Sequence, residues 1–130
     1  MKRRYKVLII IFIFLVGVGI AFKLIIDSME KNLEELMAIQ IEDIDLLNVS
    51  DGTYEGAYKT TPIEVHVSVT VVNHVITEID ITKHITGQGE SAEVIIEDVF
   101  IEQSLEVDLV SGATYSSKVI LLAIFDALDK

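Results

Sequence analysis

The run "PIEVHVSVTVVNHVITEIDITKH", Pro62 to His84, decides the fold. In it Val65, Val67, Val69 and Val71 fall on one side of an extended chain, and His66, Ser68 and Thr70 on the other. A period of two is the mark of a half-buried strand, because successive side chains point to opposite faces of a sheet. The second part, "VITEIDITKH", alternates again, with Val75, Ile79 and Ile81 on one face. Only Asn73 and His74 separate the two runs, and that spacing predicts a hairpin. Asn73 readily takes the positive φ of a tight hairpin turn, whereas His74 does so less willingly than glycine.

Working outward, Asp51-Gly52 marks a turn, and "TYEGAY" (Thr53 to Tyr58) predicts a further short strand. On the other side, "ESAEVIIEDVFIEQS" (Glu90 to Ser104) has helical spacing through Ala92, Ile95, Ile96, Val99 and Phe100. A short extended piece near Leu105 to Asp108 leads to "YSSKVILLAIFDALDK", a closing helix with Val119, Ile120, Ala123, Ile124 and Leu128 inward. The expected class is α+β, a small antiparallel sheet with covering helices.

The N-terminal side is different in kind. Lys2, Arg3, Arg4 and Lys6 precede "VLIIIFIFLVGVGIAFKLII", Val7 to Ile26, whose only charge is Lys23. About 20 mostly apolar residues suffice to span a bilayer, and the stem of Lys23 can snorkel from near one end. The basic cluster predicts a cytoplasmic N-terminus, with the rest of the chain extracytoplasmic. A secretory signal peptide has a shorter apolar core followed by small residues. The long run and its "FKLIID" ending fit an uncleaved anchor at the cell membrane. From Asp27 to about Leu47, Leu33, Met37, Ile44 and Leu47 recur at helical spacings and predict a stalk helix. The expected organisation is residues 1–26 as tail and transmembrane helix, 27–50 as stalk, and 51–130 as the outer domain.

Charge divides at Asp27. From there on lie five of the ten basic residues and all 21 acids, a net of −16. Such a surface repels nucleic acid and anionic headgroups. The chain has no cysteine, so disulfides, thiolate metal sites and cysteine nucleophiles are excluded. His66, His74 and His84 show no ligand spacing, and His84 reads as a surface histidine. No nucleophile–base pair and no carboxylate dyad stands out.

Two motifs compete for a functional role. Gly87-Gln88-Gly89-Glu90-Ser91-Ala92 matches the dinucleotide fingerprint G-x-G-x-x-G/A, with Glu106 and Asp108 near the downstream acidic position. The preceding antiparallel hairpin leaves too little chain for the parallel crossover sheet that such a site needs. "TGQGES" therefore reads as a loop and a helix start. The second motif is "VDLVSGATYSS", Val107 to Ser117. Gly112 allows a sharp or left-handed turn, and Ala113 keeps the approach clear. Thr114 at the helix start offers a hydroxyl to cap free N–H groups, and an anion there would meet the same donors. Asp108 could return to the turn as an acceptor or help to hold a metal. Spacing alone favours the plainer reading, a capped helix after a glycine turn.

Asp108-Leu109-Val110-Ser111-Gly112-Ala113-Thr114-Tyr115-Ser116 resembles the flavinylation motif of the FMN-binding domain family. That family includes the flavin-carrying subunits of the sodium-pumping NADH:quinone oxidoreductase and of Rnf-type complexes. Tyr115 stands where several members have Ser or Thr, with Ser116 next, a variation that resembles the small single-domain members. The resemblance extends from about Asp51 to Leu128 and takes in "DGTYEGAY", the hairpin, the glycine loop and the closing motif. It implies FMN joined covalently, through its phosphate, to the hydroxyl of Thr114. A separate flavin transferase, using FAD and magnesium, would make that phosphoester outside the cytoplasm. Asp108, Ser111, Gly112, Ala113 and Ser116 would then be recognition and positioning residues. The implied activity is electron relay between membrane redox partners and an external acceptor. The alternatives are a regulatory FMN-binding module and a purely structural anchored domain. Tyr54, Tyr58 and Tyr115 are candidates to stack on the flavin ring, although the first two read equally well as strand residues.

Overall fold

The computed structural model describes residues 2–87 and 89–130. Two compact units divide the chain, one up to Asn32 and the other from Leu33 to Lys130. The first is the greater part of α1 (Lys2–Ala38), a continuous helix with no buried residue before Leu36. Its 37 residues make a helix of about 55 Å at 1.5 Å per residue. By length and composition it fits a membrane span, and a signal sequence passes the same test.

The stalk does not remain helical to Leu47 as its spacing predicts. α1 stops at Ala38, and the chain continues without regular structure to a single 3₁₀ turn at Leu46–Asn48. The cause lies in what the apolar residues pack on. Ile39, Ile41, Ile44 and Leu46 lie against the domain core, and a continued helix would carry part of that set away from it. Asp43 fixes the new path. Burial pushes its carboxyl upward, but the N–H of Leu105, the hydroxyl of Ser104 and the N–H of Ile44 together hold it below its usual range.

Three strands form one antiparallel sheet in the order β1 (Gly52–Thr60), β2 (Ile63–Val72) and β3 (Val75–Ile85). β2 is central, and Val65, Val67, Val69 and Val71 are all buried on its inner face. The turn between β2 and β3 has Asn73 at φ 51° and His74 at φ 62°, the left-handed pair that a two-residue hairpin requires. A ring nitrogen of His74 lies 3.0 Å from the Leu46 carbonyl, a contact that glycine could not make.

β3 departs from simple alternation. Thr70 pairs with Glu78 but Val71 with Ile76, and His66 pairs with Lys83 but Val67 with Ile81. Thr77 and Thr82 are therefore extra residues, and each such bulge reverses the inward phase. Ile76 is buried, Ile79 and Ile81 are partly buried, and Val75, expected inward, is exposed.

A 3₁₀ turn (Glu90–Val94) runs into α2 (Ile95–Glu102), and α3 (Thr114–Leu128) closes the domain. α3 packs on β1 and β2 and is buried almost all round, from Ser116 to Ile124. Lys118 is among its buried residues, and its ammonium donates to the carbonyls of Met37, at 3.4 Å, and Ile39. The Met37 carbonyl belongs to the last turn of α1, the negative pole of a helix, and that of Ile39 follows just beyond its end. Each edge strand is also met by a side chain. Asp126 accepts from the Ala57 N–H at 3.0 Å, and the Gln103 amide bridges the N–H and carbonyl of Ile76 at 2.6 and 3.0 Å.

On the outer face of the sheet, Glu64 gathers Lys83 at 2.8 Å, His66 at 2.8 Å and Lys59 at 3.4 Å. The bonds from Lys83 and His66, with Lys59 adding less, bring its carboxyl from 4.5 down to about 2. A carboxyl lowered by folding stabilises the fold above its unfolded value, and that contribution is lost as pH falls toward the folded value. Acid unfolding of wild type and Glu64→Gln, followed by circular dichroism, is expected to diverge between pH 4.5 and about 2. The wild type should lose stability more steeply in that window, and parallel curves would refute the pairing.

Candidate functional site

The turn before α3 is held by its own side chains and backbone. Gly112 has φ +80°, and a Cβ built there would meet nothing within 4 Å. Conformation, not space, therefore calls for glycine. The Ala113 N–H donates to the Val110 carbonyl at 3.0 Å. Ser117, fully buried, accepts from the Val110 N–H at 3.0 Å and donates to the Ala113 carbonyl at 2.8 Å. Removing that hydroxyl strands the Val110 N–H. Ser117→Ala is expected to cost about 1–3 kcal/mol, measured as a shift of the urea midpoint at unchanged slope.

Thr114 does not cap α3. Ala113 holds the cap position, and no side chain accepts from the helix start. The first N–H groups of a helix have no intrahelical acceptors, so the donors at Thr114, Tyr115 and Ser116 are left for a ligand at the positive end of the dipole. The Thr114 side chain is half-buried, and its hydroxyl has no partner among the described residues.

Thr114 lines a cleft of about 220 Å³. Residues 112–116 form one part of its wall and Thr86, Gly87 and Gly89 another, while Leu33, Pro62 and Ile63 add an apolar lining. The two parts are tied together. The Ser116 hydroxyl lies 3.1 Å from that of Thr86, which accepts the Gly89 N–H at 2.9 Å. Ser116, only 3% exposed, is thus committed to holding the loop.

The other expected residues divide. Ser111 and Gly112 are exposed at the turn and Ala113 is buried beneath it. Asp108 is exposed and lies along a separate depression with Asp98, Glu102 and Glu106, not in the Thr114 cleft. Of the three tyrosines, Tyr115 lines the cleft at 44% exposure. Tyr54 and Tyr58 pack on the core, and the Tyr54 hydroxyl donates to the Ser50 carbonyl at 2.7 Å. His84 is not the surface residue expected. Its side chain is 4% exposed, with Nδ1 2.9 Å from a Glu93 carboxylate oxygen and Nε2 buried without a partner. The second bulge of β3 turned it inward.

Thr86, Gly89, Leu33, Pro62 and Ile63 were not foreseen at the site. Gly87 to Ala92 did stand out in the sequence, but as a dinucleotide fingerprint. Gln88, at its centre, lies outside the described residues. All three strands are antiparallel, so the parallel sheet of a dinucleotide fold is absent among the described residues. Gly89 serves packing instead, since a Cβ there would collide with the hydroxyls of Ser116 and Thr86.

Neither curated proteins nor solved structures offer a match to this chain. Residues 59–129, which hold the hairpin, the 86–89 loop and the Thr114 turn, match the family model described as FMN-binding domain, and the chain is a flavin-binding protein belonging to that family.

Proposed function

We propose that this protein is a membrane-anchored flavoprotein, its domain outside the cytoplasm, with FMN joined through a phosphoester to Thr114. It would relay electrons between membrane redox partners and an external acceptor. The observation that carries the reading is the unpartnered hydroxyl of Thr114 at the uncapped start of α3, on the lip of a shallow cleft.

The residues present fit this group. The free N–H donors at the head of α3 suit a phosphate. Apart from Tyr115, no ionisable side chain lines the cleft among the described residues, and none would repel it at neutral pH. The cleft's 220 Å³ falls below the roughly 300–1,000 Å³ of sites that engulf a ligand of this size. It can hold part of FMN, with the remainder outside near the exposed ring of Tyr115. A site that encloses so little of its ligand gains little binding energy from burial, and a covalent bond would prevent loss to dilution outside the cell. Bound flavin supplies the redox chemistry. The chain contributes attachment and the dipole of α3.

The test is the intact mass of the protein from its native host, beside Thr114→Ala. An FMN-sized addition on the wild type, absent from the variant, is the expected result. An unmodified wild type in a cell with an active flavin transferase would overturn covalent attachment. Topology has its own test, because the chain contains no cysteine. Leu47 is 74% exposed, and Leu47→Cys should react with a membrane-impermeant maleimide on intact cells. Labelling only after lysis would contradict an outward-facing domain.

A further inference from the structure

On the flank formed by β3 and α2 the domain has an apolar groove of about 420 Å³, lined by Ile79, Ile96, Phe100 and Ile101 with Glu78 and Glu97 at its polar positions. It shares no residue with the Thr114 cleft. Phe100 is 46% and Ile101 73% exposed. Large apolar residues clustered around a concavity and rimmed by charge mark an interaction surface more often than a chance exposure does. The walls are held in place. Gln103, at φ 53°, bonds both polar atoms of Ile76 and the Phe100 carbonyl at 2.6 Å, and so ties the end of α2 to β3.

The charge around the groove selects its occupant. Glu78 on β3 and Glu97 on α2 line the groove itself, and Asp98 and Glu102, also on α2, line a separate depression with Asp108. From Val72 to Leu105 the sequence holds one lysine or arginine, Lys83, and its ammonium is taken by Glu64 on the outer face. A second copy of this chain would set acid against acid, and an anionic lipid surface would be repelled. We propose that the groove docks a partner protein that presents an apolar side chain flanked by lysine or arginine. The apolar anchor fills the groove, and the acidic rim speeds and orients the encounter. An interface built on so small a groove belongs with the brief contacts typical of redox partners.

The test uses the full chain in phosphatidylcholine nanodiscs and three synthetic helical peptides. One is an amphipathic leucine–lysine peptide, one a leucine–glutamate peptide with the same apolar face, and one a lysine–serine peptide with no apolar face. Methyl resonances of Ile79, Ile96 and Ile101 report binding. The leucine–lysine peptide is expected to shift these methyls first, more weakly as salt rises. Ile101→Ser should weaken it roughly tenfold, as for an anchor residue. Glu97→Gln should flatten its salt dependence. Val94→Ser, at an exposed residue outside the groove, should leave it unchanged. Equal binding of the lysine–serine or the leucine–glutamate peptide would overturn the proposal, as would leucine–lysine binding indifferent to Ile101→Ser. Sedimentation showing a dimer that Ile101→Ser dissociates would overturn it in favour of self-association.

Discussion

Gly56→Ala is expected to cost about 3 kcal/mol or more, at or beyond the upper end of typical overpacking, and to remove much of the stability of the domain that α3 closes. Gly56 is buried on the inner face of β1, opposite Val67 on β2. A Cβ there would run into the carbonyl oxygen of Ala123 and the N–H of Ala127, and would lie 2.7 Å from the Ala127 methyl. The first two obstacles are helix backbone, which no rotamer change can clear. α3 would have to move off the sheet, yet it carries Val119, Ile120, Ala123 and Ile124, all of them fully buried. A small domain has roughly 5–15 kcal/mol to lose in total. Hydrogen exchange of the α3 and β2 amides should rise together in the variant. Ala57→Gly, one residue away at an exposed position, should behave as an ordinary strand substitution. Wild-type protection in Gly56→Ala would mean that α3 does not lie against β1 as described.

What the sequence made legible follows from how local each cause is. The alternation of Val65 to Val71 depends on one strand's own faces, and it appears unchanged as the buried side of β2. Asn73-His74 fixes its turn through two residues and takes the expected left-handed pair. The bulges at Thr77 and Thr82 arise between strands, so nothing in the run "VITEIDITKH" announces that Val75 turns out and His84 turns in. α1 ends where Ile39 to Leu46 find the core, a tertiary cause that a helical spacing cannot reveal. Within the site, Thr114 stood out through its motif. Its geometry was not, because the cleft is completed by Leu33, Pro62 and Thr86 from distant parts of the chain. The four serine and threonine hydroxyls of "VSGATYSS" also look alike in sequence and have different tasks. Ser116 ties the loop, Ser117 staples the turn, Ser111 faces solvent, and only Thr114 is both partly sheltered and unengaged.

Those separate tasks give the second large effect: with FMN attached at Thr114 as proposed, Gly89→Ala should reduce the flavin-bearing fraction at least tenfold while the core stays folded. A methyl at Gly89 would occupy the space of the Ser116 hydroxyl and crowd that of Thr86. Both groups belong to the lock that joins the 86–89 loop to the first turn of α3. The strain therefore falls on the residues beside Thr114. A transferase needs its acceptor hydroxyl in a reactive position, and displacements near 1 Å can cost about a hundredfold in rate. Two further variants separate this cause from general damage. Gly87→Ala, with open space around its Cβ position, should be flavinylated as well as wild type. Adding Ser116→Gly to Gly89→Ala removes the colliding hydroxyl and its carbon, and should restore part of the packing without restoring the bond to Thr86. Recovery of flavin by that double variant would assign the defect to the clash. Continued loss, with stability recovered, would assign it to the hydroxyl bond that positions the turn. Normal flavinylation of Gly89→Ala itself would show that the loop need not sit against α3 for Thr114 to be modified.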